Sequence, residues 1–136
     1  MEGNLELGKP RKEIDKLKKR IDKIKAGIAR LGEPRPGTLS RQYNICGKPN
    51  CVCKRKRQPK RHGPYYQLSY TRGGESKTEF VRQAELPLVK KQLRDYAAFT
   101  RLKDEWIDCS LEIIKLHKLQ ARNNQCSNRR TLTLPP

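Results

Sequence analysis

The sequence predicts an α+β protein that is mostly helical. Two long helices are expected to pack as an antiparallel hairpin or coiled coil, with a Cys/His knuckle and a two-stranded β-hairpin between them in the chain. Two stretches repeat apolar residues at steps of three and four, which is the spacing of one helix face. A Gly-Gly turn separates two short strand-like segments, and three of the five cysteines lie close to a histidine between the helical stretches.

The N-terminal helix is predicted over residues 10–32, after a flexible segment at residues 1–9. Gly32 suits a helix C-cap, and Pro34 and Pro36 prevent continuation. The apolar seam either packs on the rest of its own chain or pairs with a second chain, and its short length favours the first arrangement. The seam residues are Ile14, Leu17, Ile21, Ile24, Ile28 and Leu31.

Residues 33–122 are expected to hold the knuckle, the hairpin and a long C-terminal helix. Residues 33–40 have the composition of a Pro/Gly-rich linker, and residues 41–45 form a short extended lead-in. Between strands 65–70 and 76–81, a three-residue loop over 72–74 is predicted. That register places Tyr66 opposite Phe80 and Leu68 opposite Thr78, with apolar groups on one face.

The second helix is predicted to begin near Ala84, with Pro87 tolerated in its first turn. No Gly or Pro interrupts residues 88–122, so the helix is expected to reach about residues 117–122, and its distal half needs the N-terminal helix as a partner. Residues 123–136 read as a polar tail. The seam runs through Val89, Leu93, Tyr96, Phe99, Leu102, Trp106, Cys109, Ile113 and Leu116.

The charge points to polyanionic partners. The chain carries 32 Lys and Arg against 14 Asp and Glu, a formal charge of +18, and only 34% hydrophobic residues. No apolar run approaches the ~20 residues of a membrane span, and the N-terminus lacks the apolar stretch of a signal peptide. We therefore expect a cytoplasmic protein, associated with the nucleoid if it binds DNA. Thiols stay reduced in the cytoplasm, and the five cysteines are an odd number, so metal ligation is favoured over disulfides.

The knuckle offers four ligands as Cys46-x4-Cys51-x-Cys53-x8-His62. Zn²⁺ takes thiolate and imidazole ligands in a tetrahedron, so these four residues predict a structural zinc knuckle. The alternatives are three reduced thiols under a turn and a redox pair, although Cys-x-Cys is not the spacing of thiol oxidoreductases. Cys109 lies on the helix seam and is expected in the core, and Cys126 is expected to be free.

A basic run lies between the last cysteine and the histidine. Such a run can be merely a solvated surface, but here the predicted ligands hold both its ends and tyrosines flank it, an arrangement suited to gripping phosphates and stacking on bases. Tyr65 is expected to stack, whereas Tyr66 is expected in the hairpin core. The predicted nucleic-acid contacts are Lys48, Lys54, Arg55, Lys56, Arg57, Lys60, Arg61, Tyr65, Arg72 and Lys77.

The run Cys46-Gly-Lys-Pro-Asn-Cys-Val-Cys53, followed by basic residues and by His62-Gly-Pro-Tyr-Tyr66, resembles an uncharacterised family. Its members are small basic prokaryotic proteins with a Cys-Gly-Lys…Cys-x-Cys…His-Gly-Pro-Tyr signature, often found beside mobile-element genes. The similarity covers roughly residues 39–120. It implies the knuckle, hairpin and long helix, and carries no established activity.

These observations predict a nucleic-acid-binding protein with a structural zinc knuckle, acting as an accessory subunit of a mobile element or ribonucleoprotein. The nucleic acid is DNA or RNA, the wider partner is a larger protein or ribonucleoprotein complex, and no membrane is involved. No paired-acid or nucleophile motif is present, so an enzyme is not expected. The alternative is a coiled-coil interaction or assembly subunit without direct nucleic-acid readout. Monomer and dimer both remain open.

Overall fold

The computed structural model describes the backbone of residues 3–132 and the side chains of residues 9–128. Helix α1 precedes three strands, and helix α2 follows them; short 3₁₀ turns occupy Val52–Lys54 and Gln83–Glu85. The fold is α+β, as predicted: two helices packed together, an antiparallel sheet between them in the sequence, and a Cys₃His cluster. The bounds are α1 Gly3–Arg30, β1 Thr38–Asn44, β2 His62–Arg72, β3 Glu75–Val81 and α2 Leu86–Leu132.

The chain divides into two compact units. The helical unit comprises Met1–Leu31 and Ala98–Pro136, and the sheet unit comprises Gly32–Ala97. Helix α2 contributes its first turns to the sheet unit and the rest to the helical unit. In the described part of the chain, no helix is both long enough and apolar enough to cross a bilayer.

In the helical unit, α1 packs against α2 through the predicted seam. The Lys25 ammonium, near the end of α1, lies 5.0 Å from the centre of the Trp106 ring. Arg11, nearer the start of α1, lines one cleft with His117, which follows Trp106 in α2. The two helices therefore run antiparallel. The seam is therefore buried within one chain, and Cys109 is in the core as predicted. Its buried residues are Ile14, Ile21, Ile24, Cys109 and Ile113, with Leu17, Ile28, Leu102, Trp106 and Leu116 packed around them.

Both helices are longer than the sequence predicts. Helix α1 begins at Gly3, and the buried Pro10 lies inside it, although we expected residues 1–9 to be flexible. Helix α2 continues to Leu132 instead of ending near residue 122, because no Gly or Pro follows Pro87 in its first turn before Pro135. Residues 1–2 and 133–136 lie outside the described residues, so the predictions for them stay predictions.

The sheet unit holds three antiparallel strands in the order β1-β2-β3, one more than predicted. Strand β1 covers Thr38–Asn44, where the sequence suggested a linker and an extended lead-in. The linker before β1 is also fixed, by contacts with α2 and β3. The Gly32 amide donates to the Asp95 carboxylate at 3.1 Å, and the Arg35 guanidinium pairs with Glu79.

The predicted register of the hairpin is wrong by one residue. Gly73 and Gly74 both have positive φ, 59° and 80°, and form a two-residue turn, so Leu68 opposes Glu79 and Tyr66 opposes Val81. Two left-handed residues make the type I′ turn, whose twist matches that of the strands, and glycine adopts this conformation at no steric cost.

Because a one-residue shift turns every β3 side chain over, Phe80 points away from the core and is 62% exposed. The inner face carries Leu39, Tyr66, Leu68 and Val81 and packs on the first turns of α2. Tyr66 is therefore in the hairpin core, as predicted. The opposite side, called the outer face below, carries Thr38, Ser40, Gln42, Tyr65, Gln67, Ser69, Thr71, Ser76, Thr78 and Phe80.

We predict that Ile24→Ala destabilises the protein by about 2–5 kcal/mol, because Ile24 is 4% exposed and its truncation leaves a cavity in the helix seam. Leu119→Ala is the matched control, since Leu119 is an exposed aliphatic residue on α2 and alanine favours a helix. Urea unfolding measures both variants. An Ile24→Ala midpoint equal to that of the control would contradict a buried seam.

Candidate functional site

The Cys/His cluster lies where β1 and β2 meet. Asn44 at the end of β1 pairs with His62 at the start of β2, so residues 45–61 form a loop with adjacent ends. Inside the loop, the Cys51 amide donates to the Lys48 carbonyl at 3.4 Å, and the Lys54 amide donates to the Cys51 carbonyl at 3.0 Å. These tight turns aim the cysteine side chains inward.

All four predicted ligands come together. The Cys46 and Cys53 sulfurs are 3.5 Å apart, and the Cys51 sulfur is 3.0 Å from Nε2 of His62. The four ligand atoms all lie within 4.8 Å of one another, and Cys53 is only 3% exposed. Sulfurs bound at ~2.3 Å to one zinc ion would be roughly 3.8 Å apart, so this group could hold a metal ion such as zinc after small adjustments.

The cluster also favours the ionised form of one thiol. Hydrogen bonding from the Cys53 backbone, helped by the Cys46 side chain, lowers the pKa of Cys51 to about 6. The Lys48 backbone pulls the pKa of Cys46 down, but the neighbouring Cys51 sulfur and partial burial outweigh it and leave that pKa raised. Because the thiolate is the metal-binding form, Cys51 is ready to bind at neutral pH.

Glycine is required directly after the histidine ligand. Gly63 has φ +135°, and a Cβ there would lie 2.8 Å from the Gln42 carbonyl oxygen and 3.1 Å from the Tyr43 ring. Any other side chain would push β2 away from β1 next to His62. The Gly63–Pro64 peptide bond is cis. The close approach of β1 at Gly63 gives a structural reason for the glycine in the His-Gly-Pro-Tyr sequence.

The basic run emerges from the cluster as an exposed loop. None of its six cationic side chains forms an ion pair or a hydrogen bond with any residue in the described part of the chain. Residues 34–74 contain no Asp or Glu at all. The six cations are Lys54, Arg55, Lys56, Arg57, Lys60 and Arg61, and we call them the basic loop.

The remaining predicted contacts are not all on one side. Lys48 is exposed beside the cluster, and Tyr65 lies on the outer face with its ring centre 6.4 Å from that of Phe80. Arg72 and Lys77 alternate with the outer-face residues and belong to the inner-face side of the strands. Arg72 lies ten residues along β2 from His62, a distance of roughly 33 Å in a strand.

Sequence reasoning missed the outer face as a surface. The sequence does not predict that β1 adds Thr38, Ser40 and Gln42 to this surface, because only Leu39 marks the buried side of that strand. Alternate positions from Thr38 to Gln42 are polar and uncharged, but one apolar residue between them is too weak a signal to predict a half-buried strand. The register error likewise placed Phe80 in the core rather than on this surface.

Fold and site together define a small basic α+β protein with a Cys₃His centre that could hold a metal ion. A family comparison matches residues 14–91 to a domain of unknown function, DUF6788, and the chain belongs to that family. The match runs from α1 through the cluster and the sheet to the start of α2, so it begins before the residues 39–120 expected from the resemblance and ends earlier. No curated protein and no solved structure matches the chain.

We predict about one zinc ion per chain, on the rule of four protein ligands per structural ion. Cys46→Ser, Cys51→Ser and His62→Ala should each lower the zinc content of protein purified without chelator, because each removes one ligand. Cys126→Ser, an exposed cysteine outside the cluster, should leave it unchanged. Elemental analysis gives the stoichiometry.

Thiol titration tests the same site independently. With zinc bound, Cys126 should react quickly, and chelation should add Cys46, Cys51 and Cys53, whereas the buried Cys109 stays slow. Metal-free native protein in which the three cluster thiols react at once, with or without chelator, would contradict the metal centre.

Proposed function

We propose that this protein binds nucleic acid through the basic loop, and that a structural zinc ion holds the loop in place. The observation that supports this most directly is a run of six exposed cations without partners among the described residues, with ligands of one Cys₃His cluster at both of its ends. A loop held at its ends loses little further entropy when it binds a polyanion.

The charge of the sheet unit supports a polyanionic partner. Gly32–Ala97 carries fifteen Lys and Arg against five Asp and Glu. Of those acids, Glu79 pairs with Arg35 and Asp95 with Lys91, so they neutralise cations away from the loop. Each phosphate contact releases a condensed counterion, which supplies affinity without base recognition.

A structural role for zinc fits the ligand set. Four protein ligands complete the tetrahedron that zinc prefers in structural sites, whereas a catalytic zinc keeps one position for water or substrate. Three thiolates are strongly anionic, and the neighbouring cations of the basic loop offset that charge. On the resemblance to small basic prokaryotic proteins encoded beside mobile elements, we place this binding in an accessory subunit of a mobile element or ribonucleoprotein in the cytoplasm.

Arg55→Ala combined with Arg57→Ala should weaken binding and lower the slope of log affinity against log salt by about 1.4–1.8, because each neutralised phosphate accounts for ~0.7–0.9 of that slope. The loss of affinity should be similar across sequences, since phosphates carry no base information. Fluorescence anisotropy with labelled oligonucleotides at several salt concentrations measures it.

The matched control is Arg101→Ala with Lys103→Ala, which removes the same charge from exposed positions on α2 and should leave the slope unchanged. Wild-type binding that is insensitive to salt, or equal slopes for the loop variant and wild type, would contradict phosphate binding by the basic loop.

A second candidate function is assembly with another copy of the chain. On α2, Ile107, Leu111 and Ile114 are 49%, 60% and 51% exposed and form a stripe on the side away from Cys109. At ~100° per residue, Leu111 lies about 200° from Cys109 around the helix. Pairing two such stripes antiparallel would bring Asp108 of one copy to Lys115 of the other, twice by symmetry.

Leu111→Lys should abolish such self-association, and Leu119→Lys, at an exposed position on a different side of α2, should not. Sedimentation equilibrium over a range of protein concentrations measures the self-association of wild type and of both variants. If wild type stays monomeric at protein concentrations at which it binds nucleic acid, self-assembly is contradicted and nucleic-acid binding is not.

A further inference from the structure

The outer face of the sheet has an unusual composition for this chain. Charged residues make up 34% of the sequence, yet none of the ten outer-face residues is charged. Eight are Ser, Thr or Gln, and two are aromatic. The core side of the same strands is covered by α2, whereas most of the outer-face side chains are exposed. A face that is polar, uncharged and flanked by cations suits a partner whose charge lies at its edges.

We propose that the outer face enters the major groove of duplex DNA and contacts base edges there, an inference that rests on the proposed nucleic-acid binding. The major groove presents donors, acceptors and thymine methyl groups between two walls of phosphate. Uncharged hydroxyls and amides can bond base edges without meeting the phosphates, and the phosphates are left to the basic loop.

Four hydroxyls of the outer face pair with one another across the strands. Ser69 Oγ lies 3.2 Å from Thr78 Oγ1, and Thr71 Oγ1 lies 3.0 Å from Ser76 Oγ, each pair across adjacent strands. A hydroxyl has one donor and two acceptor sites, so each pair keeps unused hydrogen-bonding capacity. Side chains fixed by their neighbours lose less entropy when they bind.

The dimensions of the sheet favour the major groove of B-form DNA. Adjacent strands lie ~4.8 Å apart, so β2 and β3, which carry both hydroxyl pairs described above, form a ribbon roughly 10 Å wide, and the major groove admits a two-stranded ribbon. The major groove is ~12 Å wide, whereas the minor groove is ~6 Å wide. The major groove of A-form RNA is too narrow and deep for side chains to read.

The two aromatic rings also fit a duplex better than a single strand. Tyr65 and Phe80 are inclined at 48° to one another, so their rings do not form a flat platform for successive stacked bases. Apolar contact with thymine methyl groups needs no parallel rings. Both residues lie on the cluster side of the hydroxyl pairs, which places the basic loop next to the same end of the outer face.

The test is selection of preferred sequences from a pool of randomised DNA duplexes, with wild type and with Ser69→Ala plus Thr78→Ala. Wild type should enrich a sequence. The variant should bind scrambled duplex as wild type does, with the same salt slope, but its discrimination should fall by roughly 5- to 150-fold for each base pair that it no longer distinguishes. Ser110→Ala on α2 is the matched control and should discriminate as wild type.

Thr78→Val keeps the β-branched shape and removes only the hydroxyl, so it separates lost readout from lost folding, and thermal unfolding of each variant checks this. Competition with single-stranded DNA and duplex RNA completes the design. Two outcomes would contradict this inference and leave the proposed function intact. In the first, the outer-face variants bind with the salt slope of wild type and also discriminate between sequences as wild type does. In the second, RNA or single-stranded DNA competes better than duplex DNA. If no nucleic acid binds, both the inference and the proposed function fail.

Discussion

Six like charges between Lys54 and Arg61 repel one another, and a loop that carries them stays folded only if its ends are held. Two unit charges ~4 Å apart in water repel by roughly 1 kcal/mol, and the repulsion falls as their separation grows. Pairing of Asn44 with His62 brings the ends of the loop together, and the Cys₃His cluster closes it. Structural zinc sites contribute ~10–16 kcal/mol of apparent binding free energy at neutral pH, which exceeds that repulsion. The proposed metal would therefore hold this loop folded where protein contacts alone are few.

The sheet unit depends on the same constraint. Its buried core is Leu68, Val81, Leu86 and Val89, each contributing roughly 1.5–3 kcal/mol on burial. Ordering each residue costs about 1–2 kcal/mol in backbone entropy, so four core side chains are few for residues 32–97. The helical unit is different, since its seam buries aliphatic residues along two helices and needs no ion. If the cluster holds the proposed metal, its removal is expected to act first on the sheet unit.

The sequence allowed the ligand set and the helix seam to be predicted, because both follow from local spacing. Cys46, Cys51, Cys53 and His62 come together as expected, and the α1 seam from Ile14 to Ile28 packs on α2 between Leu102 and Leu116. Strand β1 and the hairpin register were not predictable in the same way. They are set by partners across the sheet and by the conformation of Gly73 and Gly74, and a single apolar residue, Leu39, gives too weak a pattern. The end of α2 does not follow from composition, because polar residues alone do not end a helix and no Gly or Pro lies between Pro87 and Leu132.

The register has a functional consequence. In the predicted register, Phe80 joins the core and Glu79 faces outward, which would place a negative charge in the middle of the outer face. In the structure, Glu79 lies on the inner-face side, where the Arg35 guanidinium and the Tyr70 hydroxyl contact it, so the outer face has no charged side chain. A carboxylate there would face the phosphates of any bound nucleic acid and repel them. The two-residue turn at Gly73–Gly74 therefore does more than close a hairpin, because it decides which chemistry the sheet presents beside the basic loop.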